Sequence, residues 1–228
     1  MTMKMVIDLG GSVVCPNGKL DVCYIREFSK LIKELGKRDK IVIVVGGGKL
    51  ARNYIKAARE FLALQSYLDM IGIDATRLNA KIIIASLYGL AYPFPPASFE
   101  ELAKALKLAD VVVMGGLVPG QTTDAVSAEV AEFINADMLI IGTDVKGVYD
   151  KDPKKYEDAK MFDRIKASEL LKIVATHSFL AGESGVIDIV AAKLIERSKI
   201  KTYVIDIANL ENFRNLIKGK NFVGTRIV

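Results

Sequence analysis

The sequence predicts an α/β protein with a mostly parallel sheet, on two observations. Short β-branched runs alternate with helix-period segments along all 228 residues, the pattern of a parallel sheet covered by helices. The strong strand runs also end in polar, glycine-rich loops. Val6-Ile7-Asp8-Leu9 runs into Gly10-Gly11-Ser12, residues 41–45 into Gly46-Gly47-Gly48, and 110–114 into Gly115-Gly116; residues 138–141 run into Gly142-Thr143-Asp144. In an open parallel sheet the strand C-termini share one edge, where ligands bind. Four such loops exceed what turn-making needs and point to a phosphorylated or nucleotide ligand at helix N-termini.

The elements follow in order. After the strand at 6–9, Asp21 or a neighbour caps a helix to about residue 38, with Ile25, Phe28, Leu31, Ile32 and Leu35 on one face. The 40–45 strand and its glycines lead into a helix at 49–62, and a second helix spans 68–87. Tyr92-Pro93-Phe94-Pro95-Pro96 breaks the chain, because the residue before a proline avoids the α region. Ser98 caps a short helix with Glu101 near its start. The third strand, 110–114, is followed by a loop to 124 and a helix over 124–135. A fourth strand covers 138–141, and 145–153 is turn-rich. Helices are expected at 168–174, at 186–197 after a Gly182-Glu183-Ser184-Gly185 loop, and at 210–217. A fifth strand covers 202–207, and 222–228 forms a last edge strand.

Composition bounds the function. Hydrophobic residues are 51% of the chain and charged ones 26%, ample for the core of one large domain or of two lobes sharing a sheet. No apolar run reaches the roughly 20 residues of a membrane span, and the first residues enter a strand without room for a signal peptide. Cys15 and Cys23 lie close together without His or Cys partners at zinc spacing, so neither a disulfide framework nor a zinc site is expected, and a cytoplasmic location follows. The net charge of +5 is spread along the chain. It suits an anionic small substrate as well as it suits nucleic acid, and no basic tract with aromatics argues for the latter. His177 is the only histidine and is given no role.

The stretch KIVIVVGGGKLAR, 40–52, carries the clearest chemistry. Glycines let the backbone approach an anion, and the free N–H groups of the following helix point at it. Arg52 lies about one turn into that helix and reaches the same anion. The same three glycines also serve a tight strand-to-helix turn with no ligand. The spacing is neither a Walker loop nor a dinucleotide fingerprint. Other candidates are equally double-edged. Thr122-Thr123-Asp124 suits a ligand loop or a plain N-cap, Asp69 a binding carboxylate or a solvated helix face, and Asp152-Pro153 a pocket or a turn. Asp188 suits a cap or a Mg²⁺ held through water.

MVIDLGGSV, VVGGGKLAR, LDMIGIDATRLNA, VMGGLVPGQTTDAV, GVYDKDP and GVIDIVAAKLIERSKIKTYVI, taken together and in this order, resemble the amino acid kinase fold. Within it they are most similar to the archaeal-type uridylate (UMP) kinases. The resemblance implies a three-layer sandwich and a single domain over 1–228, with an acceptor-binding part at about 1–140 and an ATP-binding part at about 141–228 sharing one sheet. It implies phosphoryl transfer from ATP to UMP in pyrimidine (CTP) biosynthesis, with Mg²⁺ brought in with ATP, and a homo-oligomer, a hexamer built from dimers.

Carried over to matching positions, the resemblance gives Gly11 and Ser12 to the ATP phosphates, with Gly48 and Arg52 on the same side. Gly11, Ser12 and Arg52 form the catalytic set. Gly47 touches UMP, Asp69 holds its ribose hydroxyls, and Leu117, Val118, Pro119, Gly120, Gln121, Thr122 and Thr123 wrap the uracil and acceptor phosphate. Thr143, Asp144, Tyr149 and Asp152 line the adenine and ribose pocket, and Asp188 is the metal candidate. Two positions depart from the family pattern. Asp8 stands where bacterial relatives carry a phosphate-bridging lysine, so Arg52, Mg²⁺, Lys49 or Lys193 must supply that charge. Lys146 stands where archaeal relatives commonly carry aspartate. Rival readings are a kinase of the same fold with another acceptor (isopentenyl phosphate, carbamate or an acylated amino acid) and a non-catalytic nucleotide sensor. GGGKLAR lacks the histidine of isopentenyl phosphate kinases.

Overall fold

The computed structural model describes residues 2–153, 155–177 and 187–228. The expected 182–185 loop lies outside them. Seven strands form one sheet in the order β3-β2-β1-β4-β6-β7-β5, where β1 is Lys4–Leu9, β2 Lys40–Val45, β3 Val111–Met114, β4 Met138–Thr143, β5 Arg164–Ile165, β6 Thr202–Asp206 and β7 Thr225–Ile227. The first four strands and β6 pair in parallel. β7 runs antiparallel to β6, and β5 is parallel to β7. The expected edge strand at 222–228 is therefore shorter and lies inside the sheet. The two-residue β5 takes the edge; so short a segment carries no period for sequence to reveal.

The strands alternate their burial between two layers, as a period of two requires. Met5, Ile7 and Leu9 of β1 pack with Ile41, Ile43 and Val45 under α2 (Val22–Leu35), α4 (Gln65–Ser86) and α9 (Leu210–Ile217). Val6, Val42, Val44, Val112 and Ile141 face the opposite layer, made by α5 (Phe99–Leu108), α6 (Thr123–Phe133), α7 (Ala167–His177) and α8 (Ile189–Ser198). The sheet between two helical layers is the expected three-layer sandwich. By this parity Asp8 points to the α6–α8 layer, alongside Val6.

Local chemistry sets the helix starts. The Asp21 carboxylate accepts from Tyr24 N–H at 2.9 Å and opens α2. The Ser98 hydroxyl accepts from Glu101 N–H, while the Glu101 carboxylate reaches back to Ala97 N–H at 2.7 Å, a reciprocal cap. The first glycine loop contains a one-turn helix, α1 (Gly11–Val14), where only a turn was expected. α3 spans Gly48–Arg59. α8 begins at Ile189, three residues later than expected, because Asp188 caps it by accepting from Val190 and Ala191 N–H.

Strand order reverses about β1, with β2 and β3 to one side and β4 and β6 to the other. The crevice between β1 and β4 is thus the switch point at which ligands bind in open α/β sheets.

Candidate functional site

A cavity of about 860 Å³ opens at the C-terminal edge of β1, β2 and β4. One end is polar and glycine-rich, lined by Gly10, Gly11, Ser12, Gly46, Gly47, Gly48 and Arg52. Here two loops meet backbone to backbone. Gly46 N–H donates to Leu9 C=O and Gly10 N–H to Gly142 C=O, both at 2.9 Å. A Cβ on Gly46 would lie 2.6 Å from the Gly11 nitrogen, so no side chain fits between the loops. Gly48 has φ +60°, a left-handed conformation that glycine adopts without strain. It starts α3, whose N-terminal amides and Arg52 side chain face the same space. The other end is largely apolar, with Val145, Val148, Tyr149, Pro153, Leu170, Ile173 and Val174 around Thr143, Asp144, Lys151 and Asp152.

Three carboxylates line the floor between the two ends: Asp8, Asp124 and Asp188. Asp8 is 2% exposed, and neither of its carboxyl oxygens has a hydrogen-bond partner. The buried Ser127 hydroxyl is likewise without one. Burial pushes the Asp8 carboxyl well above the usual carboxylate range, and the neighbouring Asp124 and Asp188 add to that rise. Asp124 keeps some surface through the cavity but is otherwise enclosed. Burial first, and Asp188 after it, push it up to about 6. Asp188 is held by the two α8 amides and by the Thr122 hydroxyl, which donates to its second oxygen. Thr122 in turn caps α6 through Ala125 N–H. The caps of α6 and α8, which share one layer, are therefore bonded to each other.

Helix α4 holds the loops that follow β2 and β3. Asn79 donates to Gly46 C=O at 2.9 Å. The Thr76 hydroxyl accepts from Gly116 N–H at 2.7 Å, and Arg77 donates to Gly116 and Leu117 C=O at 3.2 and 3.4 Å. Asp69, about two turns earlier on the same side of α4, accepts from Gly120 N–H at 3.0 Å and from the Gln65 amide at 2.9 Å.

Comparison with known proteins fits this geometry. The sequence model of the amino acid kinase family matches residues 3–206. The chain belongs to the amino acid kinase family. It is 49% identical to a uridylate kinase of Methanocaldococcus jannaschii over 218 residues, covering 95% of this chain and 96% of that one. The crystal structure of a uridylate kinase from Archaeoglobus fulgidus is similar at TM-score 0.89 and 48% identity, covering 99% of this chain and all of that one. A UMP kinase structure from Ureaplasma parvum shares the fold at TM-score 0.81 and 23% identity, covering 100% and 99%.

Within this family framework, the expected residues Gly11, Ser12, Gly47, Gly48, Arg52, Thr122, Thr123, Thr143, Asp144, Tyr149, Asp152 and Asp188 all line the one cavity. Asp69 and residues 117–121 do not line it. They sit beside it, joined by the Asp69–Gly120 bond. Lys49, Lys146 and Lys193 are exposed and lie outside the lining, so among the described residues Arg52 and Lys151 are the cations there. Sequence reasoning missed Lys151, Asp124 as a cluster member, and the loop-holding set Thr76, Arg77 and Asn79. An acid inside the apolar run VIDL was the available signal for the carboxylate cluster.

The carboxylate cluster has a consequence for stability. With no cation bound, the folded chain holds protons on this cluster that the unfolded chain, with carboxylates near 3.8, has released. Stability therefore falls as pH rises from about 4 through about 6, where Asp124 releases its proton, and goes on falling until Asp8 has released its own. Asp8→Asn removes the repulsion, and its amide can donate to Asp124. Urea denaturation in chelator should find the variant more stable than the parent at pH 7, by on the order of 1–3 kcal/mol. The gap should close near pH 4. A variant no more stable at pH 7 would mean that the carboxylates do not oppose one another.

Proposed function

We propose that the chain is a UMP kinase, transferring the γ-phosphoryl group of ATP to UMP to give ADP and UDP on the route to CTP. The observation that carries this reading is the match over nearly the whole chain to uridylate kinases, at 48–49% identity, combined with two glycine loops that meet over Arg52 in the switch-point cavity. The acceptor is a phosphate oxygen already anionic at neutral pH, so no general base is required. Catalysis then rests on in-line positioning and neutralisation of charge.

The residues take the following roles. Val148, Leu170, Ile173 and Val174 offer an apolar slot for adenine, with Thr143, Asp144, Tyr149 and Asp152 around base and ribose. Gly11, Ser12, Gly48 and Arg52 hold the ATP phosphates, and Arg52 faces the transferring group. Gly47, Asp69 and the 117–123 loop take UMP. The acceptor side thus falls in about 1–140 and the ATP side in about 141–228, joined by one sheet. A divalent cation fits the cavity floor, since the orphaned oxygens of buried Asp8 are hard donors of the type Mg²⁺ takes. Among the described residues no three acidic, His or Cys side chains are placed to hold a metal alone, consistent with Mg²⁺ arriving on ATP. Asp188 would hold it through water, with Asp8 and Asp124 nearby. When bound, Mg²⁺ would neutralise charge on the ATP phosphates.

No helix among the described residues is long and apolar enough to cross a membrane. Two free thiols, Cys15 and Cys23, support a cytoplasmic enzyme. The junction of α3 and α4 exposes Tyr54, Phe61 (84%), Leu62 (92%), Leu64, Tyr67 and Met70. Leu62 does so at φ +57°, a costly conformation for a leucine that serves no core. This surface supports a homo-oligomer, a hexamer on the family resemblance. Sedimentation should find an assembly in the parent chain and a smaller species for Leu62→Glu; a monomeric parent would end the idea.

Catalytic function is tested by ADP release with UMP, CMP, isopentenyl phosphate, carbamate and N-acetylated amino acids as acceptors. UMP should exceed CMP by at least about tenfold in kcat/KM, one lost hydrogen bond being worth roughly 1–3 kcal/mol. Activity confined to another acceptor would replace this reading, and no activity on any would favour a sensor. Arg52→Ala should lower kcat more than tenfold, beyond about 1.4 kcal/mol of barrier, while folding normally. Near-normal turnover would remove Arg52 from the reaction centre.

A further inference from the structure

We infer that Arg77 sets the polarity of the loop that reads the acceptor base, and so acts as a specificity-positioning residue. The inference rests on the UMP kinase reading. Arg77 is partly buried on α4, and no ion pair among the described residues involves it. Its guanidinium instead donates to two consecutive carbonyls, Gly116 and Leu117. In a trans peptide the C=O of one residue and the N–H of the next point in opposite directions. Turning these two carbonyls toward α4 therefore aims the N–H groups of Leu117 and Val118 away from it.

Three neighbouring amides are already engaged. Gly116 N–H is held by Thr76, Gly120 N–H by Asp69, and Gln121 N–H by Val118 C=O, while Pro119 has none. Among the described residues, the Leu117 and Val118 amides have no protein acceptor. The loop thus presents a fixed pair of donors, next to the Asp69 carboxylate suited to a ribose. A donor pair donates to a base carbonyl oxygen and finds no acceptor in an amino group, which is the difference between uracil O4 and the cytosine N4 amine. Lysine would not reproduce this, because a single ammonium lacks the planar fork that spans two carbonyls.

The test is steady-state kinetics of Arg77→Met and Arg77→Lys with UMP and CMP at saturating ATP, with UMP affinity measured calorimetrically without ATP. For Arg77→Met, KM and Kd for UMP should rise about tenfold or more and the UMP-to-CMP preference should fall at least fivefold. KM for ATP and kcat should stay within about threefold. Arg77→Lys should fall between the parent and Arg77→Met, and it carries the test alone if the methionine variant does not fold. Unchanged UMP affinity and base preference would overturn the inference. So would a parallel rise in both substrate KM values, which marks general loosening of the fold. A parent enzyme that phosphorylates another acceptor and ignores UMP would overturn the function reading first, and this inference with it.

Discussion

The contact on which the rest depends is the meeting of two loops with no side chain between them. Gly46 lies against the Gly11 backbone so closely that a Cβ would strike it, and Gly48 turns left-handed to start α3. Because β1 and β2 pair in register from Lys4↔Lys40 to Leu9↔Val45, both loops leave the sheet at one level. That level is fixed by a buried parallel ladder, so the amides and Arg52 are presented without the entropy cost of ordering a flexible loop. Any anion bound there meets a preorganised surface, which is what electrostatic catalysis of phosphoryl transfer requires.

Placed under this surface, the acidic floor looks unfavourable. Asp8 is buried without a hydrogen-bond partner, and two more carboxylates raise its cost. An arrangement that opposes stability in the ligand-free chain is common at functional sites, where charge is held ready for a partner. The parity of β1 explains how it arises: Asp8 occupies a core-facing position, and α6 and α8 bring Asp124 and Asp188 over it. The Thr122–Asp188 bond then ties the loop before α6 to the start of α8.

Helix α4 performs a different task. It contributes Ala80, Ile83 and Ile84 to the core, and from the same rigid rod it reaches the loops after β2 and β3 with Asn79, Thr76 and Arg77. Two loops that come from different strands are thereby held to one reference. The two loops keep a constant spacing because the spacing is that of a helix.

Sequence alone determined the alternation of strands and helices, the glycine loops and the cap at Ser98, and it offered those at Asp21 and Thr122, because each depends on neighbours within a few residues. It also revealed the glycine loops and much of the polar lining of the cavity, since motifs at strand ends converge wherever a parallel sheet forms. Only the tertiary structure decided that Asp8, Asp124 and Asp188 share a floor, that β7 pairs antiparallel inside β5, and that Asp69 bonds to the 117–121 loop beside the cavity. Those facts depend on strand order and helix placement, which bring together residues up to 180 positions apart. Arg77 shows the limit most plainly. In sequence it is one more charged residue in a helix, and its use becomes visible only when the backbone carbonyls it faces have been put in place.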